Sequence, residues 1–523
     1  MINKSLFKKI LLIIAAVNLL SFLAYNSPTL NLLCFILILI VTAAASWRNL
    51  FWGALILLGE LMISSQGHLF DLYLGSFRLS LRMGLFIVVL TIPLVQFLIL
   101  NFKFLINFQF LILKQRLISN IQYLISNYKF YFLFAFFILF GIINGLLNHN
   151  NLNFLYQDVN GYLFFLLLPI FIIAFKKPLI SNIPASPAGR QYPISNILTV
   201  WSAAIAWQFI AAVSLLFLYG HLDIFWRGLI PFYAWFRDQR IIEAGLYKYN
   251  FYRVFMQSGI WALTGFFIFL SLWLKSRKPK LIKKFSIFNF QTTILIFILT
   301  TLIISLSRSF WLAGFFTFIA FIIFYLYKKK PKLKTLLHQS INLAAILIAS
   351  FAIIAITLLI PIGQIPGLKS LSFLEERTTE TEEPAISSRW DLLPVLWQKI
   401  KPDFLLGRGF GATVTYKTSD PRYLQAHPNN PYYTTFAFEW GWLDIWYKIG
   451  LLGLLTYALL IGSILKRGVK VLSISSKSNI YLYQGLFFGL IALIIVNFFT
   501  PFLNHPLGIG YLLLTDACLR QYN

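Results

Sequence analysis

The feature that most constrains this chain is the alternation of about fourteen apolar runs with short basic loops, broken once by a long polar segment. Most runs approach the ~20 residues that carry a helix across a hydrocarbon layer. Without water in that layer, each segment must satisfy its own backbone N–H and C=O groups, so helices are expected throughout. The polar segment, Ile362 to Asp444, holds most of the acidic residues together with Arg389, Arg408, His427 and Glu439. A chain built this way points to chemistry at one membrane face.

Composition narrows the classes further. With 59% hydrophobic and 12% charged residues, the apolar surface is too large for a water-soluble fold. The net charge of +27 would suggest nucleic acid in a soluble protein. Here the basic clusters lie between apolar runs, where they act as cytoplasmic topology signals, and no nucleic-acid partner is expected. Cys34 and Cys518 both sit in apolar runs, which argues against a disulfide framework or a cysteine metal site. Lys4, Lys8 and Lys9 precede an apolar stretch without a small-residue cleavage site, so the first helix reads as uncleaved.

The expected fold is an all-α polytopic membrane protein with about 14 spans, range 12–14. They centre near residues 17, 38, 57, 91, 138, 168, 208, 265, 297, 318, 351, 455, 488 and 513. Phe102 to Lys129 is apolar but carries Lys114 and Arg116, and reads as a cytoplasmic interfacial helix. A cytoplasmic N-terminus puts Lys176-Lys177, Lys275 to Lys284, Lys328 to Lys334 and Lys466 to Lys477 inside, with the C-terminus. The chain then divides into spans one to eleven over 1–361, a large extracytoplasmic loop with short helices over 362–445, and spans twelve to fourteen over 446–523.

Four polar groups fall on the outer face. Tyr247 to Arg253 precede span eight, and Ser307-Arg308-Ser309 join spans nine and ten. An arginine between two apolar helices costs about 2.5–3.5 kcal/mol at depth, so it requires an anionic partner or a place at the interface. Ser387 to Ile400 reads as an amphipathic surface helix capped by Ser387 or Ser388, with Arg389 at its start and Trp390, Leu393, Leu396, Trp397 and Ile400 along one stripe. Gly407-Arg408-Gly409-Phe410-Gly411 follows as a tight turn, since no βαβ unit or G-K-[ST] accompanies it. Last come His427 and Glu439. His427 alone reads as an ordinary loop histidine, whereas a carboxylate among tryptophans at a membrane boundary suits general-base work.

Several arginines on one face favour a phosphate-bearing ligand, because the planar guanidinium binds phosphate oxygens two at a time. No metal site or cofactor is expected: Glu375, Glu376, Glu380, Glu382 and Glu383 lie in a Thr-rich stretch that reads as solvated, without Asp/His ligand spacing. Glu60 in span three, with Arg78 and Arg82 nearby in sequence, reads as a buried ion pair that orders helices.

Three of these segments, in this order, resemble the O-antigen ligase and O-antigen polymerase superfamily of bacterial membrane glycosyltransferases. They are Ser307 to Ala313, Ser388 to Gly411, and Glu439 through Gly450-Leu451-Leu452-Gly453. The resemblance covers roughly residues 250 to 465. It implies an inverting, metal-independent transferase that moves a glycan from an undecaprenyl-diphosphate carrier to an acceptor hydroxyl on a glycan or lipid. It also implies a multi-pass protein of the bacterial inner membrane, in contact with membrane lipids, with its active face extracytoplasmic. Arg253, Arg308 and Arg389 correspond by position to the family's donor-diphosphate arginines. Where its ligases place a His–Asn pair, Glu439-Trp440 stand here, with His427 twelve residues earlier. The base is therefore Glu439 or His427, and the acceptor chemistry is that of a ligase or a polymerase. A flippase or exporter of lipid-linked oligosaccharide is the main alternative; it should show repeat symmetry and charges inside spans of both halves. A sensor or anchor is the third reading.

Overall fold

The computed structural model describes residues 3–75, 77–105, 110–175, 193–222, 228–248, 251–276, 289–363, 384–474 and 480–521. The chain opens with α1 (Lys4–Ala24), α2 (Pro28–Arg48) and α3 (Leu50–Ile63), then α4 (Leu81–Leu105) and α5 (Phe110–Leu147). A broken helix follows, made of α6 (Leu152–Leu163), a 3-10 turn and α7 (Leu168–Phe175). Next come α8 (Pro193–Leu222), the short α9 (Ile230–Asp238), α10 (Gly259–Ser276), α11 (Phe290–Ile304), α12 (Arg308–Lys329) and α13 (Leu333–Leu359). The remainder holds α14 (Pro384–Ile400), α15 (Pro421–Ala426), α16 (Gly441–Ile474), α17 (Ile480–Val496) and α18 (Pro506–Arg520).

All fourteen expected centres fall inside helices. Among the described residues nine segments are long and apolar enough to cross a membrane, and α3, α10, α11 and α17 are shorter apolar helices. Phe102 to Lys129 is helical where described; residues 106–109 lie outside the described set, and α5 bends at Tyr128 (φ −122°, ψ 15°). The basic residues at 176–177 and 277–284, Lys477, and the glutamates at 375–383 also lie outside it.

Three antiparallel hairpins supplement the helices: β1 (Asp71–Leu74) with β2 (Phe77–Ser80), β3 (Glu243–Lys248) with β4 (Phe251–Phe255), and β5 (Val414–Lys417) with β6 (Tyr432–Thr435). Each lies in a polar connection between apolar helices.

Hydrogen bonds sort the helix ends into two sets. At one end Tyr25 donates to Asp238, Asn31 to the Asp71 carbonyl, Trp235 to Ser21 and Ser65 to the Ile241 carbonyl. The same end includes Asn144, which donates to the Gly407 carbonyl at 2.7 Å. At the other end Gln96 reaches the Trp47 carbonyl, Lys328 the Leu472 carbonyl, and Arg520 lies 4.2 Å over the Tyr128 ring. The hairpins and the polar turns therefore share one end, and a lysine-rich rim occupies the other.

The described part of the large loop has its own apolar core. Leu392, Leu396 and Ile400, spaced one helical turn apart on α14, pack on Ala412, Val414 and Tyr416 and on Phe438 and Tyr447. The packed face takes in Leu396 and Ile400 of the expected stripe and adds Leu392, while Trp390 and Trp397 are 59% and 40% exposed. The helix begins at Pro384, ahead of the expected serine cap. Its inner face is shaped by the hairpin beneath it, which the pattern of α14 alone cannot reveal.

Candidate functional site

The sequence between α11 and α12 makes a turn of three residues. Ser305 closes α11, Leu306 adopts the left-handed region (φ +47°) although fully buried, and Ser307 stands at the N-cap of Arg308. A buried leucine held there is strained, and such strain persists only where its surroundings enforce it. One constraint is Arg253 in the middle of β4, whose Nε donates to the Ser305 carbonyl at 2.9 Å while its guanidinium lies 5.0 Å over Phe255. Another is Thr500, between α17 and α18, which donates to Ser309 Oγ at 3.3 Å. Arg253 and Arg308 thus meet around one turn.

Arg389 reaches the same neighbourhood from the large loop. Its Nε donates to Glu439, fifty residues on, in a direct ion pair. The backbone on both sides is clamped: Trp440 Nε1 donates to the Arg389 carbonyl at 3.0 Å, and the Trp390 and Trp440 rings meet edge to face at 5.6 Å. Trp440 in turn lies 6.0 Å from Phe499, the neighbour of Thr500. A path through the turn, Arg253–Ser305–Ser307–Ser309–Thr500–Phe499–Trp440–Arg389, links Arg253, Arg389 and Glu439, with Arg308 beside Ser309 in the chain.

His427 is elsewhere on the loop. It follows α15, stacks on Tyr423 at 4.4 Å, and has Nδ1 3.3 Å from the Tyr423 carbonyl. Its described contacts are with the Tyr423 and Tyr433 side of the hairpin, not with Arg389 or Glu439.

Beneath the ion pair the glycine-rich turn threads into a break in α16. Gly407, Gly409 and Gly411 all have positive φ, and a Cβ on Gly409 would lie 2.1 Å from the Gly145 nitrogen of α5. Gly450 (φ +71°) interrupts α16, and the turn uses the backbone groups this frees: Arg408 N donates to Tyr447 O, Gly409 N to Lys448 O, and Leu451 N to Phe404 O. Asn150 donates to the Phe410 carbonyl. This is the tight turn expected from the spacing, but its partner is a broken helix rather than solvent.

Sequence reasoning missed the charged cluster that supports this turn. Lys448 Nζ lies 2.6 Å from Asp158 and 2.7 Å from Asp444, all three nearly inaccessible to solvent. Asp158 also accepts from the Gly411 N–H at 2.8 Å, and Asp444 accepts from Asn504. The signal was present: a carboxylate in an apolar run requires a partner, and Asp158 is such a residue.

Residues 293–458 match the family model described as O-antigen ligase. That stretch, about a third of the chain, is similar to O-antigen ligase domains. The match covers Arg308, Arg389, His427 and Glu439, together with the glycine-rich turn and Lys448, whereas Arg253, Asp158 and Thr500 come from flanking segments. An O-antigen ligase domain among apolar helices supports glycan transfer at a membrane in polysaccharide assembly. No curated protein matches the chain.

Proposed function

We propose that this protein is an inverting glycosyltransferase of the bacterial inner membrane that moves a glycan from undecaprenyl diphosphate to an acceptor hydroxyl, as a ligase or polymerase of surface polysaccharide. The observation that carries the reading is the Arg389–Glu439 pair inside the matched segment, joined through Trp440, Phe499 and Thr500 to the turn that Arg253 holds and from which Arg308 opens α12. In this reading the chain has fourteen spans, and the end that holds the hairpins and the large loop faces outward. The lysines and arginines at the opposite rim, among them Lys8, Lys9, Arg48, Lys328 and Lys329, support that orientation.

The chemistry follows from charge. The sugar C1–O bond to the diphosphate breaks, its electron pair leaves with the phosphate oxygen, and the acceptor oxygen bonds to C1 from the opposite face. Arg253, Arg308 and Arg389 neutralise the departing diphosphate, a task for which fixed guanidinium groups suffice without a metal. Glu439 takes the acceptor's proton. Arg389 couples the two halves. In this structure its charge is met by Glu439, and a diphosphate, with more charge and more oxygens, draws the guanidinium onto itself and leaves the carboxylate for the acceptor. His427, stacked on Tyr423, is assigned no proton transfer.

The test is transfer of radiolabelled lipid-linked glycan by protein in nanodiscs. Wild-type protein should convert donor to product of inverted anomeric configuration. Retention at the anomeric carbon, or full activity in an Arg389→Ala variant, contradicts the reading.

A further inference from the structure

We propose that a cavity between α9 and β3 is a saccharide subsite, which rests on the transferase reading for its place in the reaction but not for its binding chemistry. The cavity measures about 320 Å³, at the small end of ligand pockets. Gln66, Tyr233, Phe236, Arg240, Ile242 and Glu243 supply most of its lining.

Those groups suit a sugar better than a bare phosphate. Half-buried Tyr233, with the small part of Ile242 that reaches the cavity, offers an apolar surface for the C–H face of a pyranose ring. Gln66 both donates and accepts, Arg240 donates and Glu243 accepts, which matches hydroxyls that do both. Arg237 also lines the cavity but is paired with Asp238, so Arg240 and Glu243 leave little surplus positive charge to hold an anion standing alone.

Two of these groups are oriented before any ligand arrives. Arg240 Nη1 donates to Gln66 Oε1 at 3.0 Å, and the Arg240 backbone lies in the left-handed region at φ +51°, with its N–H bonded to the Arg237 carbonyl. An arginine tolerated at a position that favours glycine marks a side chain retained for what it does.

The location ties the cavity to the candidate site. In the β3–β4 hairpin Glu243 pairs with Phe255 and Gly245 with Arg253, so Glu243 and Arg253 share one face of the ribbon, two residues apart along it. That is roughly 7 Å. A sugar joined to phosphate by one oxygen spans such a gap, with its phosphate toward Arg253 and its ring toward Gln66 and Arg240. The glycan could belong to the donor or to the acceptor; the chemistry is shared.

The experiment uses full-length protein in nanodiscs and the oligosaccharide released by mild acid from the cell's own lipid-linked pool. Binding is measured by calorimetry. Arg240→Gly should weaken it at least tenfold while thermal stability holds or rises, since glycine accepts φ +51°; a purely structural arginine would not separate the two. Gln66→Ala should weaken binding similarly, and Arg389→Ala should leave it unchanged. In transfer assays Arg240→Gly should raise KM with little change in kcat, for the donor if the donor glycan occupies the cavity and for the acceptor if the acceptor does. Equal affinity in wild type, Arg240→Gly and Gln66→Ala, or no measurable binding by wild type, overturns the subsite. Saccharide binding lost in Arg240→Gly, together with no transfer by wild type, overturns the transferase reading alone.

Discussion

Lys448 and Asp158 lie 290 residues apart in the chain, yet their charged atoms stand 2.6 Å apart near the break in α16. Because Asp158 also accepts from the Gly411 N–H, one carboxylate joins α6, α16 and the glycine-rich turn. Asp444 completes the cluster from one helical turn before Lys448.

Removing Lys448 should therefore destabilise the protein more than any exposed substitution. Lys448→Met leaves two carboxylates facing each other without a cation, and breaking a buried pair costs about 3–5 kcal/mol. Thermal unfolding in detergent should show a clear drop in Tm for Lys448→Met and for Asp158→Asn. Combining them should recover part of the loss, because the two changes act on one interaction. Additive losses in the double variant would show that the pair is not coupled.

Positive φ at Gly409 makes a second test sharp. Gly409→Ala meets both a left-handed backbone and the Gly145 nitrogen at 2.1 Å, so its cost should exceed the about 1–3 kcal/mol of backbone strain alone. Gly75→Ala is the matched control: φ is +63° but nothing lies within 4 Å of the new Cβ. Yield of folded protein and Tm should fall much further for Gly409→Ala. Equal losses would mean that the close approach to α5 contributes nothing.

Apolar periodicity made the helices legible, since each crossing segment is bound to satisfy its own backbone. It also made the Glu60–Arg82 pair legible, because an acid inside an apolar run demands a nearby cation. Arg82 holds Glu60 through two hydrogen bonds, 2.8 and 3.1 Å long, with both side chains buried. The same logic applies to Asp158 and to Asp516, which Arg467, Arg520 and Tyr131 surround. Apart from Arg520, one turn on in the same helix as Asp516, their partners lie on other helices, so adjacency in sequence could not supply them. That α14 packs through Leu392 as well as Leu396 and Ile400 escaped for a related reason: which face of an amphipathic helix is buried against protein depends on a hairpin that the helix does not encode. The sequence already set Glu439, among tryptophans, apart from His427, and the fold adds that His427 stacks on Tyr423 while Glu439 pairs with Arg389.

Arg82→Ala should separate stability from activity. It leaves the Glu60 carboxylate buried without its partner, with an expected loss of about 3–5 kcal/mol. Arg82 lies outside the path that links Arg253, Arg308, Arg389 and Glu439. Transfer per folded molecule should therefore stay near wild type while Tm falls. A proportionate fall in kcat at a temperature where the variant is fully folded would place Glu60 and Arg82 in the reaction.

Glu439 and Arg389 should fail in different ways. Glu439→Gln keeps the shape and removes the base, so kcat should fall by about 10²–10⁴-fold while donor KM stays level or drops, since Arg389 no longer has a competing carboxylate. Arg389→Ala removes one cation from the leaving group, so kcat should fall by about 10²–10³-fold and donor KM should rise. Arg389→Lys keeps the charge but not the planar fork and should recover only part of the loss. Steady-state kinetics with varied lipid-linked donor separates these outcomes. A rise in donor KM for Glu439→Gln would mean that the carboxylate positions Arg389 for the diphosphate rather than competing with it.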